Sequence, residues 1–222
     1  AINAEGHPSS PIFNPDGTLT MSGAYSVGGL VTENNYTDTK ANNFKTTTGL
    51  RAEFFDKTLR AVADFTYSYR MNNELKKRTV VPYSTGPGIY ETLGVPGTDD
   101  YLQEYFSGTD YLAANAYLEY ENTFAKKHYF KAMAGYNYEQ KHWKGVTSKR
   151  YDLMTPDTDA INLAMGESMS ITSNESRWRL AGFMFRLNYS YDERYLLEIN
   201  GRYDGSSKFP TYSQWGFFPS AS

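Results

Sequence analysis

The segment TLRAVADFTYSYR, Thr58–Arg70, alternates apolar and polar side chains along its length. Its odd-numbered positions are apolar or aromatic, and its even-numbered positions are polar except for Val62. A period of two is that of a β-strand with two chemically different faces. The alternation lasts about 13 residues, whereas strands of soluble proteins average about 5–6 and a tilted strand across a bilayer needs about 9–11. The segment therefore predicts a long strand suited to crossing a membrane.

The same alternation recurs along most of the chain. It is found in Lys45–Phe55, Tyr111–Asn122, Tyr129–Lys141, Arg179–Tyr191 and Tyr195–Asp204, and it starts again near Trp215. With Thr58–Arg70 these segments make about seven strands. We expect the apolar side of each strand, such as Tyr195, Leu197, Ile199 and Tyr203, to face lipid and the polar side to face a lumen.

The connections between these segments alternate between short and long. Three tight, charged turns are predicted at Asp56-Lys57, Ala125-Lys126-Lys127 and Asp192-Glu193-Arg194. Long loops are predicted at Met71–Asp110 and Gly145–Ser176, with a further long outer loop over Asn3–Asn43. Outer-membrane barrels combine short periplasmic turns with long extracellular loops. We therefore predict an all-β chain: 1–44 is an extracellular loop region, and 45–222 is part of an antiparallel transmembrane β-barrel.

Composition agrees with this fold class and excludes others. The net charge of −3 argues against nucleic acid as a partner, because phosphate binding needs a basic face. The chain has no cysteine, which rules out disulfides and thiolate metal sites. Its mean hydropathy of −0.62 is compatible with a barrel, whose polar interior offsets its apolar exterior. Aromatic residues cluster near both ends of the predicted strands, as in the interfacial girdles of barrels.

The polar face contains several charged residues that we expect to line the lumen. They are Glu119, Glu121, Lys131, Glu139, Arg186, Glu198 and Arg202. Lys131, Arg186 and Arg202 are the expected counter-charges of the carboxylates. A glycosidase could use two such glutamates about 5–10 Å apart, but lumen-facing ion pairs are the simpler interpretation. On that interpretation, neutralising Glu119 should leave barrel assembly largely intact.

No motif of a metal, cofactor or catalytic site is present. His7, His128 and His142 do not stand at metal-ligand spacing with a carboxylate, so we interpret them as interface or solvent histidines. A Ser-His-Asp order, a P-loop and an HExxH motif are all missing. We expect no cofactor and no enzymatic activity.

Three sequence motifs near the C-terminus are distinctive. They are NYSYDERYLLE (188–198), RYDGSSKFP (202–210) and WGFFPSAS (215–222). This part of the chain closely resembles SusC-like (RagA-like) TonB-dependent transporters of Bacteroidetes outer membranes. An earlier segment, residues 44–70 (FKTTTGLRAEFFDKTLRAVADFTYSYR), is also similar to strands of the same family, but its residues are less distinctive.

The resemblance implies a barrel of about 22 strands in a Gram-negative outer membrane. It also implies an N-terminal plug, a TonB box that couples to the TonB-ExbB-ExbD complex, and a SusD-like surface lipoprotein that delivers substrate. The plug, the TonB box and the remaining strands are not among these 222 residues, so we expect the chain to be a piece of a longer transporter.

The resemblance implies import of oligosaccharides, with peptides as the alternative cargo. Substrate contacts are expected from aromatic side chains of the loops and upper lumen, since aromatic faces stack on sugar rings. The candidates are Tyr83, Tyr90, Tyr101, Tyr105, Trp143 and Tyr212. The same tyrosines could instead dock the lipoprotein. Two rivals are a soluble β-sandwich carbohydrate-binding module and a β-rich glycoside hydrolase.

Overall fold

The described part of the chain is all-β apart from one helix and two short 3-10 turns. A computed structural model describes residues 10–32, 34–155, 157 and 159–222. The helix, α1, spans Met21–Val31, and the 3-10 turns span Ile161–Leu163 and Thr211–Ser213. The strands are β1 (Tyr36–Phe54), β2 (Leu59–Arg78), β3 (Val81–Gly86), β4 (Ile89–Leu93), β5 (Tyr101–Phe124), β6 (His128–Tyr151), β7 (Met169–Tyr191), β8 (Tyr195–Ser206) and β9 (Trp215–Ala221). None of the helices in this part of the chain is both long and apolar enough to cross a membrane.

Seven of the strands form one antiparallel sheet in the order β1-β2-β5-β6-β7-β8-β9, and β3 and β4 form a separate hairpin. Strands that are neighbours in the sheet are also neighbours among these seven in the chain. This up-and-down order confirms the predicted fold class. Among the described strands, β1 and β9 each have a single neighbour, so the sheet is open.

The strands are longer than the alternation predicted, and the two long loops are correspondingly shorter. β2 continues to Arg78 and β5 begins at Tyr101, so most of the predicted loop Met71–Asp110 is strand or the β3–β4 hairpin. β6 likewise runs to Tyr151, and β7 begins at Met169, inside the predicted loop Gly145–Ser176. The prediction was wrong there because both faces of these extensions carry polar side chains. Backbone pairing continues without the period-two contrast that reveals a strand in the sequence.

All three tight turns are confirmed, and their backbones have positive φ at consecutive residues. Ala125 and Lys126 have φ of 49° and 59°, and the Lys127 amide donates to the Phe124 carbonyl over 3.2 Å. Asp192 and Glu193 have φ of 52° and 56°. Two left-handed residues in a row give a hairpin turn that matches the twist of the flanking strands. None of these positions is glycine, so each turn carries backbone strain.

Glycine in one of these turns is therefore expected to stabilise the protein. Lys126→Gly should raise the free energy of unfolding by about 0.5–1 kcal/mol, because glycine adopts positive φ without a Cβ clash. Lys127 is the matched control, because it adjoins Lys126 and is not among the residues with positive φ. Lys127→Gly should lower stability by about 0.5–1 kcal/mol through added freedom of the unfolded chain. Denaturant unfolding in detergent measures both, and equal effects of the two variants would contradict the strain.

The described residues form two compact units. The first unit comprises 10–41 without residue 33, 72–107, and 145–174 without residues 156 and 158; the second comprises 42–71, 108–144 and 175–222. The first unit contains a small core of Leu19, Ala24, Val81 and Tyr83, built from α1, the chain before it and β3. Thr20 is the N-cap of α1, because its hydroxyl accepts a hydrogen bond from the Gly23 amide. The predicted loop region 1–44 thus holds a helix and the start of β1, and its extracellular position stays a prediction.

The second unit has one apolar and one polar sheet face. On the apolar face, Phe183 lies opposite Tyr203, and Leu187 lies opposite Ile199. Tyr136 and Phe183 are in ring contact at 4.9 Å. These side chains are substantially exposed; Phe183, for example, is 54% exposed. A β-sandwich would bury such a face against a second layer, whereas a continuous exposed apolar face suits lipid.

Gly201 shows how closely this apolar face is packed. It lies between Phe185 and Phe217, whose rings stack with centroids 6.5 Å apart. A Cβ at Gly201 would clash with the Phe185 ring. Glycine here lets the two rings close over the backbone of β8, as aromatic side chains do over glycines in other sheets.

Candidate functional site

The polar face of the second unit begins, near the tight turns, with a cluster of four charges from β2, β5 and β6. Arg60 bridges Glu119 at 2.6 Å and Glu121 at 2.8 Å. The Lys131 ammonium lies 3.0 Å from Glu119 and 3.6 Å from Glu121. Tyr129 adds a hydroxyl that donates to Glu121 over 3.1 Å. Two cations face two carboxylates, so the cluster is neutral and each carboxylate contacts both cations.

This arrangement answers the question of whether two glutamates form a hydrolytic pair. Glu119 and Glu121 contact the same guanidinium and the same ammonium. Each carboxylate is therefore occupied by two cations, whereas a hydrolytic pair needs two carboxyl groups free to face the glycosidic bond. The contacts therefore favour a structural ion cluster, in which Lys131, one of the three expected counter-charges, contacts both glutamates. Arg60, the second cation, was not predicted as a member, although its even position in Thr58–Arg70 placed it on the polar face.

A chain of amide hydrogen bonds crosses the same face above the ion cluster. Asn137 donates to Asn115 over 2.6 Å, and Asn115 donates to Asp64 over 2.8 Å. Also between β5 and β6, the Tyr111 hydroxyl donates to Glu139 over 3.1 Å. These contacts join β2, β5 and β6 through side chains as well as through the backbone ladder.

The polar face continues across β7 and β8. Arg186 donates to Asn200 over 2.8 Å, and Asn200 and Asn188 both donate to Glu198. Arg186 thus contacts an amide where a carboxylate partner was expected. Arg202 meets Asp204 through two nitrogens, at 3.0 and 2.9 Å.

A cleft of about 620 Å³ opens on this face where β6, β7, β8 and β9 meet. Its polar lining includes Asn137, Glu139, Arg202 and Asp204, and its apolar lining includes Phe209 and Phe218. Both phenylalanine rings are exposed. Carboxylates, amides and a guanidinium beside bare aromatic rings can hydrogen-bond hydroxyl groups and stack on the C–H face of a sugar ring. Phe209 and Phe218 were not predicted as site residues, because nothing in their sequence neighbourhood marks the cleft.

The six predicted aromatic contacts lie in different environments. Tyr83 is buried in the core of the first unit and donates its hydroxyl to Glu91, so its ring is covered. Tyr90 and Tyr212 are exposed, and Tyr212 is 92% exposed in the 3-10 turn that follows β8. Trp143 is half-buried in β6. The structure therefore does not gather these residues into one site, and the covered ring of Tyr83 is not available to stack on a sugar.

Two of the six, Tyr101 and Tyr105, lie on β5 in the first unit. Tyr101 packs edge-on against Tyr151, with ring centroids 5.9 Å apart. Tyr105 lines a separate cavity of about 460 Å³ whose charged residues are mainly acidic, including Asp38, Glu104 and Asp159.

Asp159 also contacts two neighbouring strands of the first unit, β1 through Tyr36 and β2 through Lys77. It pairs with Lys77, which is only 2% exposed, over 3.0 Å. The Tyr36 hydroxyl donates to it, and that bond and the Lys77 charge hold the pKa of Asp159 below its usual range. Burial, and next the Asp159 carboxylate, raise the pKa of Tyr36 to about 12. The two shifts agree that Asp159 is ionised and Tyr36 protonated at neutral pH.

The histidines contact ordinary polar and aromatic neighbours. His128 shares a hydrogen bond of 2.8 Å with the Tyr189 hydroxyl, and His142 lies 2.8 Å from Glu175. His7 lies outside the described residues. Within the residues that the structure describes, no group of three or more His, Asp or Glu side chains could hold a metal ion.

Comparison with known proteins gives a consistent picture. Residues 5–222 match the family model described as TonB dependent receptor-like, beta-barrel. TonB-dependent receptor P3 of Formosa agariphila is 27% identical over 221 residues, which is 96% of this chain and 20% of that protein. TonB-dependent receptor SusC of Bacteroides thetaiotaomicron is 30% identical over 142 residues, which is 64% of this chain and 13% of that protein. The chain thus spans at most about a fifth of the length of these relatives.

Solved structures match the fold. The RagAB peptide importer in its closed-closed state has a TM-score of 0.73 at 15% identity, covering 85% of this chain and 20% of that chain. Its open-open state has a TM-score of 0.70 at 16% identity, covering 86% of this chain and 20% of that chain. At this identity the likeness concerns the fold alone.

Proposed function

Because this chain belongs to the TonB-dependent receptor-like β-barrel family of outer-membrane proteins, we propose that it forms part of the wall of a transporter that imports oligosaccharides. The contribution of these residues is binding and containment, without a catalytic step. Its polar face lines the lumen and its apolar face lies against outer-membrane lipid. The separation of the two faces, strand by strand, supports this arrangement.

The partners are proposed from the same family membership. A SusD-like surface lipoprotein would deliver the substrate, and the TonB-ExbB-ExbD complex would supply energy through a part of the protein outside this chain. The match to SusC of Bacteroides thetaiotaomicron, over 64% of this chain, supports the lipoprotein partner.

The single observation that carries the choice of oligosaccharides is the cleft on the polar face. It combines the charged pair Arg202–Asp204 and the carboxylate of Glu139 with the exposed rings of Phe209 and Phe218. Sugar hydroxyls pair with such planar polar groups, and the C–H face of a sugar packs on a bare ring. Peptide import is the alternative, and uptake measurements with both kinds of cargo separate the two.

The test is uptake by the full-length transporter in the outer membrane, with a panel of oligosaccharides and a panel of peptides of matched mass. Phe218→Ala is expected to lower the affinity for the imported oligosaccharide about tenfold, or about 1.4 kcal/mol. Phe217→Ala is the matched control, because it removes the neighbouring phenylalanine of β9 from the opposite face and should leave affinity unchanged. Import of peptides alone, or equal losses in both variants, would overturn the proposal.

A further inference from the structure

Two lysines of the first unit converge on a single tyrosine ring. The Lys149 ammonium lies 3.7 Å from the centroid of the Tyr101 ring and 4.3 Å from that of Tyr151. The Lys76 ammonium lies 5.9 Å from the Tyr101 centroid. The four side chains come from β2, β5 and β6, and all are half-buried. Two positive charges are thus gathered around one ring.

Neither lysine has a carboxylate partner within the part of the chain that the structure describes, where the ion pairs involve other cations. Asp100, the acidic residue next to Tyr101 in the chain, is buried and accepts hydrogen bonds from the amides of Gly97 and Leu153. The aromatic rings attract a cation through their quadrupoles but do not neutralise it. Neither ammonium of the cluster is therefore paired with a carboxylate of the described residues.

The packing also holds one of these charges in a defined place. Lys149 contacts the rings of both Tyr101 and Tyr151, which meet edge to face at an interplanar angle of 63°. An ammonium held by two rings loses less freedom when a ligand binds, and affinity rises accordingly. A free surface lysine, such as one on an exposed loop, has no such arrangement.

We propose that Lys76, Lys149 and Tyr101 form a subsite for the anionic group, carboxylate or sulfate, of an acidic oligosaccharide. That the ligand is an oligosaccharide rests on the proposed function. That it carries an anionic group rests on the two ammonium groups, neither of which is paired with a carboxylate of the described residues. The anion accepts hydrogen bonds from both ammonium groups and replaces the missing carboxylate of the protein. The subsite selects acidic over neutral oligosaccharides on the way through the transporter.

Calorimetry on the purified full-length protein tests this with charged and neutral probes of the same backbone. The probes are tetragalacturonate and its methyl ester, and a sulfated carrageenan tetrasaccharide with its desulfated form. At least one acid is expected to bind about tenfold more tightly than its neutral partner. The two pairs distinguish a carboxylate from a sulfate ligand.

Variants locate the effect. Lys149→Met should lower the affinity for the acidic probe about five- to tenfold, Lys76→Met about threefold, and Lys149→Arg should retain it. Lys40→Met is the matched control, because it removes one charge from a lysine that already pairs with Asp38 at 3.0 Å. It should leave the affinity unchanged.

The outcomes separate the subsite from the proposed function. Equal binding of acidic and neutral oligosaccharides, or equal losses with Lys40→Met and Lys149→Met, would overturn the subsite while leaving oligosaccharide import in place. Binding of acidic peptides with no binding of any oligosaccharide probe would overturn both. Tight binding of an acidic probe that depends on Lys149 supports both.

Discussion

Replacing Leu187 by arginine is expected to destabilise the protein by about 2–4 kcal/mol, because the charge would face the hydrocarbon of the membrane. Leu187 lies on the apolar face opposite Ile199, four residues before Tyr191, where β7 ends. Four residues of a strand tilted by about 45° rise about 9 Å, which places this position inside the hydrocarbon region and away from the turn that follows Tyr191. Unfolding by denaturant from lipid vesicles, in the full-length protein, gives the free energy directly.

Met184 provides the control on the same strand. It lies opposite Arg202, on the polar face. Met184→Arg introduces the same charge toward the lumen, where water solvates it, and should cost no more than about 1 kcal/mol. Equal losses at Leu187 and Met184 would contradict the assignment of the two faces. A large loss at Met184 alone would mean that the faces are reversed.

Removing Arg60 is expected to have the second large effect. Arg60→Met leaves Glu119 and Glu121 with Lys131 as the remaining cation of the cluster. Loss of one partner from a buried ion pair costs about 3–5 kcal/mol. The side chains of Arg60 and Glu119 are 26% and 15% exposed, so partial solvation reduces the expected loss to about 1–3 kcal/mol.

The companion variant is Glu119→Gln, which keeps the shape of the side chain and should still assemble. Combined with Arg60→Met, it restores the balance of charge between Glu121 and Lys131, so the double variant should be less unstable than the sum of the two single ones by about 1 kcal/mol. Strict additivity would show that the close contacts of Arg60 and Glu119 contribute no coupling energy. Failure of Glu119→Gln to assemble would refute a solvated polar face.

The strands inside the apolar-polar pattern could be predicted from the sequence, and their ends could not. Thr58–Arg70 shows its two faces because lipid requires apolar side chains on one side and water permits polar ones on the other. Beyond Arg70 the chain continues as strand to Arg78, with polar residues on both faces. Backbone hydrogen bonds stabilise that extension. They form with almost any side chain, so the sequence does not reveal them.

The contacts of the polar face were predictable only in part. Lys131 pairs with a predicted glutamate, but Arg60 also bridges the two glutamates, and Arg186 contacts an amide. The alternation assigns a residue to a face, whereas the register between strands decides which residue lies opposite it. The cleft lined by Phe209 and Phe218 depends on the same register, since it draws residues from β6 through β9.

The sequence by itself determined the fold class, the tight turns, the two faces and, through its C-terminal motifs, the family. These properties can be predicted from local patterns, because the period of a strand and the type of a turn depend on residues that are adjacent in the chain. Only the tertiary structure decided the length of the strands, the membership of the ion cluster and the meeting of Lys76 and Lys149 at Tyr101. These depend on strand pairing, which brings together side chains as far apart as residues 76 and 149 through backbone hydrogen bonds common to all residues.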